Sequence, residues 1–113
     1  MDKADQEEME NKSVPFFIEI DLSPAFQTAL PSSHLLIELE ENEATVKGLL
    51  HRLLKEYGEK IKPFLFEKEG DAILSGLMVM VNDRTFTGSA LNQQVVQLMD
   101  KDKVSLLYFV SGG

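Results

Sequence analysis

Between Phe16 and Leu22 apolar residues recur at every second position, with Phe16, Ile18, Ile20 and Leu22 on one side of an extended chain and Phe17, Glu19 and Asp21 on the other. A period of two predicts a strand with one buried face. In the following SPAFQTALPSS, Ser23 and Pro24 suit the start of a short helical turn, and Pro31 ends any such turn. Alternation resumes in HLLIELE, where Leu35, Ile37 and Leu39 share one face and Leu36, Glu38 and Glu40 the other. This predicts a second strand, paired with the first as a hairpin. Glu38, Glu40, Glu41 and Glu43 read as a solvated edge.

From Ala44 the period changes. In ATVKGLLHRLLKEYG, Val46, Leu49, Leu50, Leu53, Leu54 and Tyr57 recur at the i, i+3, i+4, i+7 spacing of an amphipathic helix. Thr45 is placed to cap its start and Gly58 to close its end. IKPFLFEKEG predicts one more turn after Pro63, burying some of Ile61, Phe64, Leu65 and Phe66. LMVMV, Leu77 to Val81, has the composition of a strand. KVSLLYFV, Lys103 to Val110, predicts the last strand, with Val104, Leu106, Tyr108 and Val110 on one face and Ser105, Leu107 and Phe109 on the other. Two strands, one amphipathic helix and at least two further strands, without repeats or a dividing linker, predict an α+β domain. Its expected form is the ubiquitin-like β-grasp, a mixed four- to five-stranded sheet with one main helix across one face.

Composition narrows the function classes. At 113 residues and 43% hydrophobic content the chain suits one domain with a core of its own. A formal charge of −8 argues against a nucleic-acid binder, which needs a basic surface, and fits a basic protein partner better. Cysteine is absent, which removes disulfides, thiolate metal sites and cysteine nucleophiles. No stretch approaches the roughly 18 apolar residues of a membrane span, and the start MDKADQEEMENKS is acidic rather than leader-like, so no membrane partner and a cytoplasmic location are expected. Residues 1–13 hold five acids against two lysines and read as a disordered acidic tail, with a partner-binding helix as the alternative. His34 falls at a strand edge and His51 on the polar side of the helix, and no clustered ligand spacing accompanies them or the glutamates. Neither a metal site nor a cofactor is expected, and no phosphate loop, nucleophile elbow or zinc motif is present.

The apolar run of the last strand stops in Ser111, Gly112 and Gly113. Two glycines pack nothing; they supply conformational freedom and the absence of side chains. The segment LMVMVNDRTF, followed by LMDKDKVSLLYFVSGG, resembles the small sulfur carriers of the molybdopterin synthase small-subunit and thiamin-thiazole type, relatives of the ubiquitin-related modifier. There a strand ending Val-Asn precedes a turn, a Leu-x-Asp-x-Asp-x-Val segment opens the final strand, and the chain ends in Gly-Gly. ATVKGLLHRL matches the usual entry into the helix, so the resemblance spans roughly residues 14 to 113. Two turns depart from the pattern, because Asp83 and Lys101 stand where glycine is common. Asp tolerates left-handed geometry and Lys does so less well, so the second turn is expected to differ in type. The Pro-Pro common near the end of molybdopterin synthase small subunits is absent as well.

The resemblance implies a chemistry for the tail. A bare carboxylate is a poor acyl electrophile and must be activated. By resemblance, the Gly113 carboxylate attacks the α-phosphate of ATP on a ubiquitin-activating-type enzyme, and a sulfur nucleophile then displaces AMP to leave a C-terminal thiocarboxylate. Gly112 and Gly113 let the tail enter a narrow active-site channel. Residues 14–110 would form the β-grasp domain and 111–113 a flexible reactive tail. The carrier acts as substrate rather than enzyme, and a sulfur acceptor such as a molybdopterin synthase large subunit is a further implied partner, serving molybdopterin, thiamin or related cofactor biosynthesis, or tRNA biosynthesis. The same activated tail equally suits a ubiquitin-like modifier that forms isopeptides through Gly113. An interaction module with an inert tail is the third reading.

Strand parity supplies one more candidate surface. On the sheet face away from the helix it places Phe17, Leu36, Met78, Met80, Leu107 and Phe109, an apolar set for a surface facing water. Methionine suits a surface that meets more than one partner. The expectation is a partner-binding face; the alternatives are that SPAFQTALPSS or FEKEGDAILSG folds over it, or that it is a homodimer seam.

Overall fold

Strands β1 (Phe16–Leu22) and β2 (His34–Leu39) pair antiparallel from Phe16 against Leu39 to Asp21 against His34, so the expected hairpin is present in the computed structural model, which describes residues 15–108. Their buried residues are the alternating apolar ones, Ile18, Ile20, Leu22, Leu35, Ile37 and Leu39. Helix α1 (Val46–Tyr57) follows. Its Thr45 hydroxyl accepts the Gly48 N–H at 2.9 Å, and Gly58 closes it with φ 84°, a conformation L side chains resist. Val46, Leu49, Leu50 and Leu53 are completely buried, which is the stripe the 3.6-residue period marks.

The one further turn is α2 (Lys62–Leu65), with Pro63 inside its first turn, and it buries Ile61, Leu65 and Phe66 while Phe64 stays half-exposed. Strands β3 (Leu77–Val81) and β4 (Arg84–Thr87) form a hairpin across Asn82 and Asp83, and a short helix α3 (Gly88–Leu91) follows. Strand β5 (Lys103–Tyr108) completes a five-stranded mixed sheet of order β2-β1-β5-β3-β4, parallel to β1 and antiparallel to β3. This is the ubiquitin-like β-grasp, with one main helix. The last strand is expected to run to Val110, whose position, like the acidic segment 1–13, Val14 and Ser111, lies outside the described residues. No described helix is long and apolar enough to cross a membrane.

Three features depart from the sequence reading. The segment after β1 forms the expected turn, Pro24–Phe26, but it is part of the core, since Phe26, Ala29 and Leu30 are buried in the same cluster as the helix stripe. Phe66 and Ile73 bridge across the FEKEGDAILSG loop and join that cluster as well. Both loops therefore send their apolar residues into the core, and Phe17 and Leu36 on the opposite face remain 42% and 63% exposed. The glutamates after β2 form a 3-10 turn, Glu41–Glu43, in which Glu43 bonds back to the Glu40 N–H at 3.0 Å and takes Arg52 at 2.9 Å.

The turns are the third departure. Lys101 does adopt the left-handed conformation, φ 73°, and it is Asn82 rather than Asp83 that does so in the β3–β4 turn, at φ 58°. Hydrogen bonds over-determine both. Lys101 N–H donates to the Phe17 carbonyl at 2.8 Å, and Asp100 and Asp102 carboxylates accept the Phe17 and Met99 N–H groups, each at 2.8 Å. The Asn82 amide donates to Asp102 at 3.0 Å and accepts the Lys103 N–H at 3.1 Å, tying one turn to the other.

Candidate functional site

The chemistry implied by the sequence belongs to the end of the chain, so the site is the root from which that end departs. Strand β5 is the central strand, held on one side by β1 from Glu19 against Lys103 to Leu22 against Leu106. The β1 ladder closes where Ser23 N–H donates to the Leu106 carbonyl at 3.0 Å. There Pro24 turns the chain away, and β5 continues along β3 as far as the pair Leu77–Tyr108. Leu107 and Tyr108 thus leave the sheet with one neighbouring strand instead of two.

An aromatic cluster fixes this root. The Tyr108 ring stacks on Phe26 with centroids 5.3 Å apart and planes 9° from parallel, and Phe64 lies tilted 5.6 Å from Phe26. The Tyr108 hydroxyl donates to the Phe64 carbonyl. Burial pushes the phenol up from its ordinary value, since an anion there would lose hydration, and it remains a neutral donor at physiological pH. Where the β1 ladder closes, the Ser23 hydroxyl is buried with no partner among the described residues. Phe26 and Phe64 are absent from the candidate residues read off the sequence. Their signal was an aromatic side chain close behind a proline in each connecting segment, Pro24 and Pro63.

The open face of the sheet carries Phe17, Leu36, Met78, Met80 and Leu107, but not as one patch. Across the strands, Leu36 lies beside Glu19 and Lys103, while His34 lies beside Asp21, Ser105 and Met80. Asp21 accepts from His34 Nδ1 at 2.7 Å and sits 4.0 Å from Lys103 Nζ. This polar band separates exposed Phe17 and Leu36 from a second group, half-buried Met78, Met80 and Leu107. Met78 pairs directly with Leu107, so the second group adjoins the root of the tail. Period alone cannot show this, because it assigns faces within a strand and leaves the register between strands open. Phe109, Gly112 and Gly113 lie outside the described residues.

Elsewhere, a groove of about 340 Å³ between the start of α1 and the segment after α3 is lined by Thr45, Lys47, Leu91 and residues 92–96. Its charged group, Lys47, lies 3.9 Å from Asp71, and the lining offers no nucleophile–base pair. His34 is engaged with Asp21 and the His51 ring lies against Phe66 at 4.8 Å. Among the described residues no three histidine or acidic side chains converge on a metal-sized site.

Comparison with known proteins adds the following. The family model described as Urm1 (Ubiquitin related modifier) matches residues 18–113, from β1 through the terminal glycines. The solution structure of small archaeal modifier protein 1 from Methanosarcina acetivorans superposes with a TM-score of 0.68 at 20% identity, covering 88% of this chain and 99% of that one. A putative molybdopterin converting factor, subunit 1, from Pyrococcus furiosus gives 0.61 at 23% identity over 84% and 99% of the two chains. Urm1 from Trypanosoma brucei gives 0.60 at 19% identity over 89% and 99%. No curated protein matches the sequence. At such identities these structures show a shared fold.

Proposed function

Because this chain belongs to the Urm1, ubiquitin related modifier, family of ubiquitin-like sulfur carriers and modifiers, we propose that it works through the carboxylate of Gly113 as a sulfur carrier. The observation that carries the reading is that the family match continues past the anchored root at Tyr108 to the final Gly-Gly. A carboxylate oxygen of Gly113 attacks the α-phosphorus of ATP on a ubiquitin-activating-type enzyme, forming an acyl-adenylate and releasing pyrophosphate. A sulfide-equivalent donor then attacks the acyl carbon. The new C–S bond forms as the C–O bond to AMP breaks, and a thiocarboxylate results. No cysteine of this chain takes part, in keeping with its having none. The carrier contributes presentation: glycines 112 and 113 thread a narrow channel, and the rigid root holds the body in a constant relation to it.

The activating enzyme would grip Met78, Met80 and Leu107, with Phe109 extending the same parity, because this apolar group adjoins the tail. Phe17 and Leu36, across the polar band, serve a separate contact. The sulfur acceptor is an enzyme of cofactor biosynthesis, with a molybdopterin synthase large subunit as the leading class and the thiamin pathway next, and the setting is cytoplasmic. The alternative function, a modifier joined by an isopeptide from Gly113 to a target lysine, draws support from the modifier names of the archaeal and trypanosome structures.

Intact-mass analysis of protein isolated from its own cells separates the readings. A species heavier by the difference between sulfur and oxygen supports the carrier, and a ladder of larger conjugates supports the modifier. Deleting Gly113 should abolish adenylate formation while leaving the melting temperature unchanged. Normal adenylation of that variant refutes both.

A further inference from the structure

Strand β2 is an edge of the sheet. The Leu22 N–H donates to the Ser33 carbonyl at 2.8 Å, and with the hairpin register this turns the backbone groups of Leu35, Ile37 and Leu39 inward to β1. Those of His34, Leu36, Glu38 and Glu40 therefore point outward. At both ends the chain satisfies its own edge. The Ser32 hydroxyl donates to the His34 carbonyl at 2.9 Å and accepts the His34 N–H at 3.1 Å. Glu43 accepts the Glu40 N–H through its carboxylate at 3.0 Å and donates its own N–H to the Glu40 carbonyl at 2.8 Å. Between these stops, the N–H and C=O of Leu36 and of Glu38 have no protein partner among the described residues.

Edges that must not pair are ordinarily blunted by lysine, proline or a bulge, and β2 has none of these. Its side chains define what would fit. Leu36 offers an exposed apolar surface. Residues 15–43 carry Glu19, Asp21, Glu38, Glu40, Glu41 and Glu43 with no lysine or arginine, and Arg52, which reaches this region, is bound to Glu43 and Glu56.

We propose that the Leu36–Glu38 window is a docking site for an extended, basic segment of a partner protein, which adds to the sheet as a strand beside β2. Its backbone completes the four outward groups, its cationic side chains meet Glu38, Glu40 and Glu41, and an apolar residue packs on Leu36. The charge pattern disfavours two other occupants. A second copy would bring one acidic edge against another, and the acidic segment 1–13 would likewise meet charge of its own sign. The proposal is independent of the chemistry of the tail.

The test is amide hydrogen exchange, resolved by residue on the full isotope-labelled chain, with the capped pentapeptide Leu-Thr-Lys-Thr-Lys, whose leucine and lysines share one strand face as Leu36, Glu38 and Glu40 do, at about 1 mM, the concentration at which a weak peptide site fills. Exchange at the Leu36 and Glu38 amides should slow by about tenfold or more, and the capped peptide Leu-Thr-Glu-Thr-Glu should leave it unchanged. Glu38→Lys, at an exposed position, should remove most of the protection by the basic peptide. Leu36→Pro deletes an outward N–H without touching the β1 ladder and should abolish protection at Glu38. No protection by the basic peptide, or equal protection by the acidic one, overturns the proposal. Protection that appears without peptide and grows with protein concentration identifies a second copy as the occupant and overturns it as well.

Discussion

Replacing Tyr108 by phenylalanine removes one oxygen and leaves the stacked ring, so it isolates the hydrogen bond that ties the end of β5 to α2. The ring's 5.3 Å stacking on Phe26 should persist. The loss is the bond to the Phe64 carbonyl. A neutral hydrogen bond contributes about 1 kcal/mol net, and an acceptor left wholly buried would cost about 1–3 kcal/mol more. The tyrosine is only half-buried, so water can reach the carbonyl, and the total should stay near 1–2 kcal/mol at neutral pH. Tyr108→Ala also loses the ring and should cost about 3–5 kcal/mol.

The burial of the same hydroxyl carries a pH signature. Folding raises the phenol's pKa above its ordinary 10.0, so the folded state holds the proton more tightly than the unfolded state. The contribution of Tyr108 is therefore complete below pH 10 and declines as pH rises above it. Urea denaturation of wild type and Tyr108→Phe from neutral to alkaline pH gives the difference directly, and effects common to both proteins cancel. The difference should be flat up to about pH 9 and shrink above pH 10. A variant as stable as wild type at pH 7 refutes the assignment of the hydroxyl to the Phe64 carbonyl, and a difference that does not fall at high pH refutes the burial of the phenol.

Five other substitutions probe the faces, the turns and the buried Ser23 hydroxyl. Leu106, fully buried, should cost about 2–5 kcal/mol on replacement by alanine, whereas Leu107→Ala on the open face should cost about 1 kcal/mol and weaken binding of the activating enzyme instead; paired denaturation and affinity measurements show which. Lys101→Gly relieves a left-handed lysine and should raise stability by about 0.5 kcal/mol after the added freedom of the unfolded chain is counted. Asn82→Gly should do the opposite, lowering it by about 1 kcal/mol, because two side-chain hydrogen bonds to Asp102 and Lys103 are lost. Ser23→Ala removes a buried hydroxyl with no partner among the described residues and should leave the melting temperature equal or higher, so a clear drop would reveal a partner outside them.

Whatever depends on near neighbours in the chain was legible from the sequence. Alternation between Phe16 and Leu39 marked two strands and their buried faces, and the spacing from Val46 to Tyr57, closed by Thr45 and Gly58, marked the helix and both its ends. The order of these elements implied the β-grasp, and the family resemblance of the last third drew attention to the terminal glycines as the candidate site. Lateral order was not legible. Only the pairing of β5 with β1 and β3 placed Glu19, Asp21 and Lys103 between the two apolar groups of the open face, and only the packed chain brought Phe26, Phe64 and Tyr108 together from three separate segments. The stops at Ser32 and Glu43 that isolate Leu36 and Glu38 on the edge of β2 likewise emerge from the hairpin register. The physical reason is the range of the interaction involved. Periodicity and capping arise from backbone geometry over a few residues, whereas register and side-chain clusters are set by contacts whose partners lie tens of residues apart.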